Sequence, residues 1–150
     1  MGRIDMITEM LKLENVRIIE EDCDWEKAIY ISMQTLLEQG YITEQYPRTI
    51  IDTTKKHGAY YVLCPDVALA HSRPEDGVIK KQLALTLFRH PISFPNKKDT
   101  VRLIIALAAE DSNSHLDVLA QLAELLNDDS RIQSCVNMNS SQELYEEFVK

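Results

Sequence analysis

The stretch VRLIIALAA, residues 101–109, holds one charged residue in nine and is apolar at odd and even positions alike. A strand points successive side chains to opposite faces, so a run without a polar face has to be covered on both. Nine residues are too few to cross a bilayer as a helix, and no apolar run in the chain approaches the 18 or so that would. The stretch therefore reads as a central strand between two helical layers. A chain built around such a strand needs helices before and after it, which points to an α/β sandwich.

The remaining segments supply those layers. KQLALTLF at 81–88 alternates, with Leu83, Leu85 and Leu87 on one face; AYYVLC at 59–64 and VRIIE at 16–20 have strand content, and VALAH at 67–71 offers a further short strand to go with them. Between 24 and 39, Ile29, Met33, Leu36 and Leu37 fall at helical spacing and Gly40 marks the stop. A second helix is expected from Thr43 to about His57, with Pro47 in or near its first turn and Gly58 at its end. Ser114-His115-Leu116-Asp117 has capping-box spacing, and Leu116, Leu119, Ala120, Ala123 and Leu126 would form the buried stripe behind it. Ser140-Ser141-Gln142-Glu143 repeats the cap before a last amphipathic helix with Leu144, Tyr145 and Phe148. Without a linker, repeat or composition shift, residues 1–150 read as a single domain.

Charge and cysteine content narrow the function. The net charge of −8 and pI of about 5.0 disfavour nucleic acid and anionic membrane, which both require a cationic footprint. Cys23, Cys64 and Cys135 are odd in number, far apart and without a CxxC pair, so they read as free thiols in a reducing compartment. The start of the chain lacks a cationic and then apolar leader, and the expected location is the cytoplasm. No GxxxxGK or GxGxxG loop, no GxSxG elbow and no His/Cys cluster with metal-ligand spacing is present.

The histidines are the chemistry left. His71 ends an apolar run and is followed at once by Ser72-Arg73-Pro74, which places its ring at a sheet edge with an arginine nearby. His115 falls in the first turn of a capped helix, where unpaired N–H groups and the helix dipole favour an anion. An imidazole is nucleophilic in its neutral form near pH 7, and a second imidazole at a helix start could help to hold a phosphoryl group. Periodicity leaves open whether the two rings meet.

The stretch GAYYVLCPDVALAHSRPEDGV, residues 58–78, resembles the phosphohistidine segment of the mannitol/fructose class of EIIA components of the bacterial sugar phosphotransferase system. It looks closest to the ascorbate-type branch, whose pattern is similar to HGPYxVxAPGxAxPHxRPEEGV. The likeness continues through PISF at 91–94, the 101–109 strand and its AAEDSNSHLDVL continuation, and covers the chain from about Asp24 onward. The resemblance implies a mixed sheet flanked by helices on both faces. It implies that His71 accepts a phosphoryl group from HPr and passes it to a cysteine of an EIIB component, with His115 as the second imidazole. A membrane EIIC component would be an indirect partner and would choose the sugar, by branch ascorbate or a related sugar acid or pentitol. No cofactor and no metal is expected, because transfer between positioned side chains needs orientation and charge stabilisation.

Three departures carry expectations of their own. Ala70 stands where the pattern has proline, which loosens the backbone before His71. Asp66 stands where glycine is usual, and a carboxylate close to a phosphohistidine would repel it. No arginine matches the one that some mannitol-type members carry upstream, so Arg73 and His57 are the candidates for phosphate-stabilising charge. Two other readings stand beside the carrier: a regulatory EIIA-like module whose phosphorylation state controls docking, and a family member whose histidine is unused. The docking surface for HPr is expected as an apolar patch around His71 with acids at its rim.

Overall fold

The computed structural model describes residues 6–149, apart from the side chains of Ser112 and Ser114. The first five residues, part of the start read as lacking a leader, and the Ser114 cap side chain thus lie outside the described residues. Five strands, β1 (Leu11–Ile19), β2 (Val62–Cys64), β3 (Asp66–Ala70), β4 (Gln82–Ile92) and β5 (Val101–Ala108), form one sheet in the order β1-β4-β5-β3-β2. The doubly apolar run is indeed the central strand. It pairs antiparallel with β4 and parallel with β3, and the sheet is mixed.

Its alternation sorts the core into two layers. Ile104, Ala106 and Ala108 pack with Ile29, Met33 and Leu36 of α2 (Trp25–Glu38) and with Tyr46 and Ile50 of α3 (Gln45–His57). Leu103, Ile105 and Leu107 face α1 (Met6–Met10), α4 (Ser112–Leu125), α5 (Asp129–Val136) and α6 (Ser141–Val149). Leu83, Leu85 and Leu87 of β4 share that second face, as their spacing predicts. Each fully buried leucine or isoleucine contributes about 1.5–3 kcal/mol, so the central strands dominate the hydrophobic stabilisation. Among the described residues no helix is long and apolar enough to cross a membrane.

Local signals mostly hold. Asp24 caps α2 by accepting the Lys27 N–H at 2.9 Å, and Ser140 accepts the Glu143 N–H at 3.1 Å before α6. Four expectations change. Residues 59–61 are a turn rather than strand: the Val62 N–H reaches back to the Ala59 carbonyl at 3.1 Å, and the Tyr61 hydroxyl meets Thr54 of α3 at 2.8 Å. β1 begins at Leu11, ahead of the predicted 16, because a bulge between Leu11 and Val16 lets polar residues sit in an apolar strand. α4 begins at Ser112, two residues before the predicted cap. Its buried stripe is also rotated: Val118 and Leu122 are buried, whereas Leu116 is 63% exposed and Ala120 and Ala123 look outward. Leu119 and Leu126 are half-buried against that core layer and, with Ala123, border an apolar groove of about 360 Å³ beside β2 and β3. The short helices α1 and α5 lie where no helix was read.

Candidate functional site

β3 and β5 run parallel with Ala70 opposite Ala106, so their carboxyl ends emerge side by side. Crevices at such ends are where open α/β sheets place their ligands. His71 is the first residue after β3 and continues the parity of Val67 and Leu69, which turns its ring toward the α4 layer. β5 leads through residues 109–111 into α4, where the His115 N–H donates to the Asp111 carbonyl at 3.1 Å. The two imidazoles, 44 positions apart in the sequence (115 − 71), stand 5.3 Å between ring centroids at 50°.

The His71 ring is held by its own strand. Its Nδ1 lies 2.6 Å from the Leu69 carbonyl oxygen. A carbonyl only accepts, so Nδ1 carries the proton and the lone pair is on Nε2. Among the described residues Nε2 takes no hydrogen bond. Burial and then the neighbouring His71 hold the His115 pKa below the ordinary histidine value, which favours its neutral form.

The loop beyond is pinned at several points. The Ser72 N–H donates to the Tyr46 phenol oxygen at 2.9 Å, and the Tyr60 hydroxyl donates to the His71 carbonyl. Asp76, buried in the turn Pro74–Asp76, accepts from the Ser72 hydroxyl and from the Arg73 backbone and guanidinium. Burial works against its charge, but these donors outweigh it and keep the carboxyl below its usual range. Gly77 has φ +135° and a Cβ there would stand 2.6 Å from Thr43 Oγ1, so only glycine lets the loop close on the α2–α3 connection, where the Thr43 N–H meets the Gly77 carbonyl at 2.8 Å.

All four site residues read from the sequence line one cleft of about 810 Å³: His57, His71, Arg73 and His115. They differ in readiness. Arg73 Nη2 is 3.2 Å from Asp76 Oδ1, so its charge is already paired, although its side chain is 73% exposed. His57 closes the row Thr49, Thr53, His57 along one face of α3. Asp66 does not approach the site. It begins β3, whose five residues at about 3.3 Å each put it roughly 16 Å from His71. Its carboxylate is bound by Arg102 Nε at 2.8 Å and Nη2 at 2.9 Å, and repulsion of a phosphohistidine is therefore not its role. Its φ of 75° explains the position: it lies in the left-handed region that glycine prefers and aspartate tolerates. Tyr46, Tyr60 and Asp76 escaped the sequence reading, since nothing in their spacing joins them to His71. The i, i+4, i+8 row of Thr49, Thr53 and His57 was available as a signal.

An α/β sandwich with two imidazoles facing one cleft at the carboxyl ends of two parallel strands is a layout suited to phosphoryl transfer. The family described as "Phosphoenolpyruvate-dependent sugar phosphotransferase system, EIIA 2" matches residues 9–150, and the chain belongs to it. It is 36% identical over 130 residues to the mannitol-specific cryptic phosphotransferase enzyme IIA component of Escherichia coli K12, covering 87% of this chain and 88% of that one. The solution structure of the mannitol-specific cryptic enzyme IIA from Escherichia coli agrees at a TM-score of 0.90 and 32% identity over 97% of this chain and 99% of that one. The ascorbate-specific EIIA component of Shigella boydii is 32% identical over 127 residues, covering 81% and 82%. The complex of enzyme IIAMTL with phosphorylated enzyme IIBMTL from Escherichia coli matches at 0.79 and 26% identity over 92% and 96%. The chain is thus a phosphotransferase component of the EIIA kind.

Proposed function

We propose that His71 Nε2 is the atom that carries the phosphoryl group, taken from HPr and passed to the cysteine of an EIIB component in the cytoplasm. The observation that carries this is the bond from Nδ1–H to the Leu69 carbonyl, which leaves Nε2 as the nucleophile beside His115. In acceptance the Nε2 lone pair forms a bond to phosphorus as the donor's N–P bond breaks, and the donor ring departs with that electron pair. In the second half the EIIB thiolate attacks phosphorus and the His71 Nε2–P bond breaks. The solved complex of a relative with phosphorylated EIIB supports this direction.

His115, kept neutral by burial, donates to a phosphoryl oxygen, while the Arg73 guanidinium and the His57 ring offer further donors from the cleft wall. Leu63 and Leu116, 56% and 63% exposed, belong to the apolar surface on which HPr and EIIB dock in turn. The test is intact-mass spectrometry at alkaline pH after incubation with phosphoenolpyruvate, Enzyme I and HPr. One phosphoryl adduct, lost in acid and absent from His71→Ala, is expected. An adduct that persists in His71→Ala would move the nucleophile elsewhere.

A further inference from the structure

We propose that Tyr60 and Tyr46 are positioning residues for phosphoryl transfer, gripping from both ends the one peptide group that follows His71. The inference rests on the reading of His71 as the nucleophile. The His71 carbonyl, which accepts the Tyr60 hydroxyl, and the Ser72 N–H, which donates to the Tyr46 oxygen at 2.9 Å, belong to the same planar unit. With that plane held at both ends, rotation about the Cα–C bond of His71 is blocked. The Nδ1–H bond to Leu69 fixes the ring on the same residue. Backbone and side chain of the nucleophile are therefore constrained separately, by groups that leave Nε2 open.

The two phenols are themselves anchored. Tyr46 is fully buried and donates its proton to the Leu107 carbonyl of the central strand at 2.7 Å, so the peptide plane is referenced to the buried centre of the sheet. Tyr60 stands edge-on to the His71 ring, with centroids 5.6 Å apart at 80°, and edge-on to Tyr61 at 4.9 Å and 83°. Burial raises the pKa of both phenols, which keeps both protons in place. A proline at 70 would constrain the backbone on the other side of His71. The grip on the following peptide is what lets this chain carry Ala70 there and still hold the ring in place.

In-line transfer is sensitive to misplacement of about 1 Å, which can slow a reaction about 100-fold, so loss of one of two anchors should slow transfer about tenfold. Tyr60→Phe removes only a hydroxyl from a partly exposed side chain. Single-turnover transfer from phosphorylated HPr, at increasing HPr concentration, separates positioning from docking. The expected result is one phosphoryl group on His71, a saturating rate about tenfold below wild type, an unchanged half-saturating HPr concentration and an unchanged melting temperature. Tyr46→Phe should show the same split with a lower melting temperature, and if it does not fold then Tyr60→Phe decides. A wild-type saturating rate in Tyr60→Phe would overturn the proposal. So would a raised half-saturating concentration at an unchanged saturating rate, which would make Tyr60 a docking contact. A His71→Ala variant that still accepts phosphoryl would overturn the nucleophile assignment itself and the positioning with it, and is read in the same assay.

Discussion

The two ends of β3 treat a titratable side chain in opposite ways. At the start, both carboxylate oxygens of Asp66 are taken, by the fork of Arg102 and by Gln133 Nε2 at 3.1 Å, and the pair is 14% and 25% exposed. At the finish, one nitrogen of His71 is bonded to backbone and the other is open to a cleft. A closed pair adds to stability and is chemically inert. A half-closed ring gives up one hydrogen bond of stabilisation and keeps a lone pair for use. The distance between them is about 16 Å at roughly 3.3 Å per residue, and Arg102 neutralises the Asp66 charge at contact, so little of its field reaches the other end and the two ends act independently.

That independence can be broken or sharpened experimentally. The largest effect belongs to His71→Ala, which should abolish phosphoryl acceptance while lowering stability by only about 1 kcal/mol, the worth of its one hydrogen bond, as denaturant melts would check. Arg102→Ala should do the reverse, lowering stability by about 2 kcal/mol by leaving a mostly buried carboxylate unpaired, with transfer at the wild-type rate. If transfer fell as well, the ends would be coupled. His115→Ala should leave the melt unchanged and slow transfer about tenfold, since only a donor to the phosphoryl group is lost.

The smallest effect lies in the pH dependence. Arg102 holds the Asp66 pKa down, so its contribution is complete above the unfolded carboxylate value of about 3.9 and is lost as pH falls through the lower folded value. The stability gap between wild type and Arg102→Ala should therefore close in acid. The His115 pKa is also depressed, but its unfolded value is about 6.5, and below that the unfolded chain takes up a proton that the folded chain resists. Stability should decline from pH 6.5 downward, and His115→Gln should flatten that arm alone. Urea melts across pH 3–8 would resolve the two windows.

The central strand, the helices on both of its faces and the pair of histidines were legible because each leaves a local trace: nine apolar residues, a 3.6-residue period, an imidazole at the end of an apolar run. Asp66 was misread even though the strand read at 67–71 already set it at the end away from His71; what the sequence could not show was its partner Arg102, 36 positions away. α5 buries only Ile132, Cys135 and Val136, too few to give a period, and its clearest mark was the Asp128 cap, which accepts the Ser130 N–H at 2.9 Å. On α4 and just past its end, Leu119 and Leu126 do pack half-buried against the core, but Leu116 was wrongly assigned to it, because an apolar face looks the same in sequence whether a sheet or solvent lies over it.

The bond between His71 Nδ1–H and the Leu69 carbonyl bears on the outbound half of the proposed reaction as much as on the inbound half. With the phosphoryl group on Nε2 and a proton on Nδ1, the ring is cationic, and the carbonyl stabilises that charge. When an acceptor attacks phosphorus, the ring then departs as neutral imidazole rather than as an imidazolate anion, a far poorer leaving group. No proton has to be delivered or removed in either direction. One backbone oxygen thus makes the same side chain suited both to take the group and to release it.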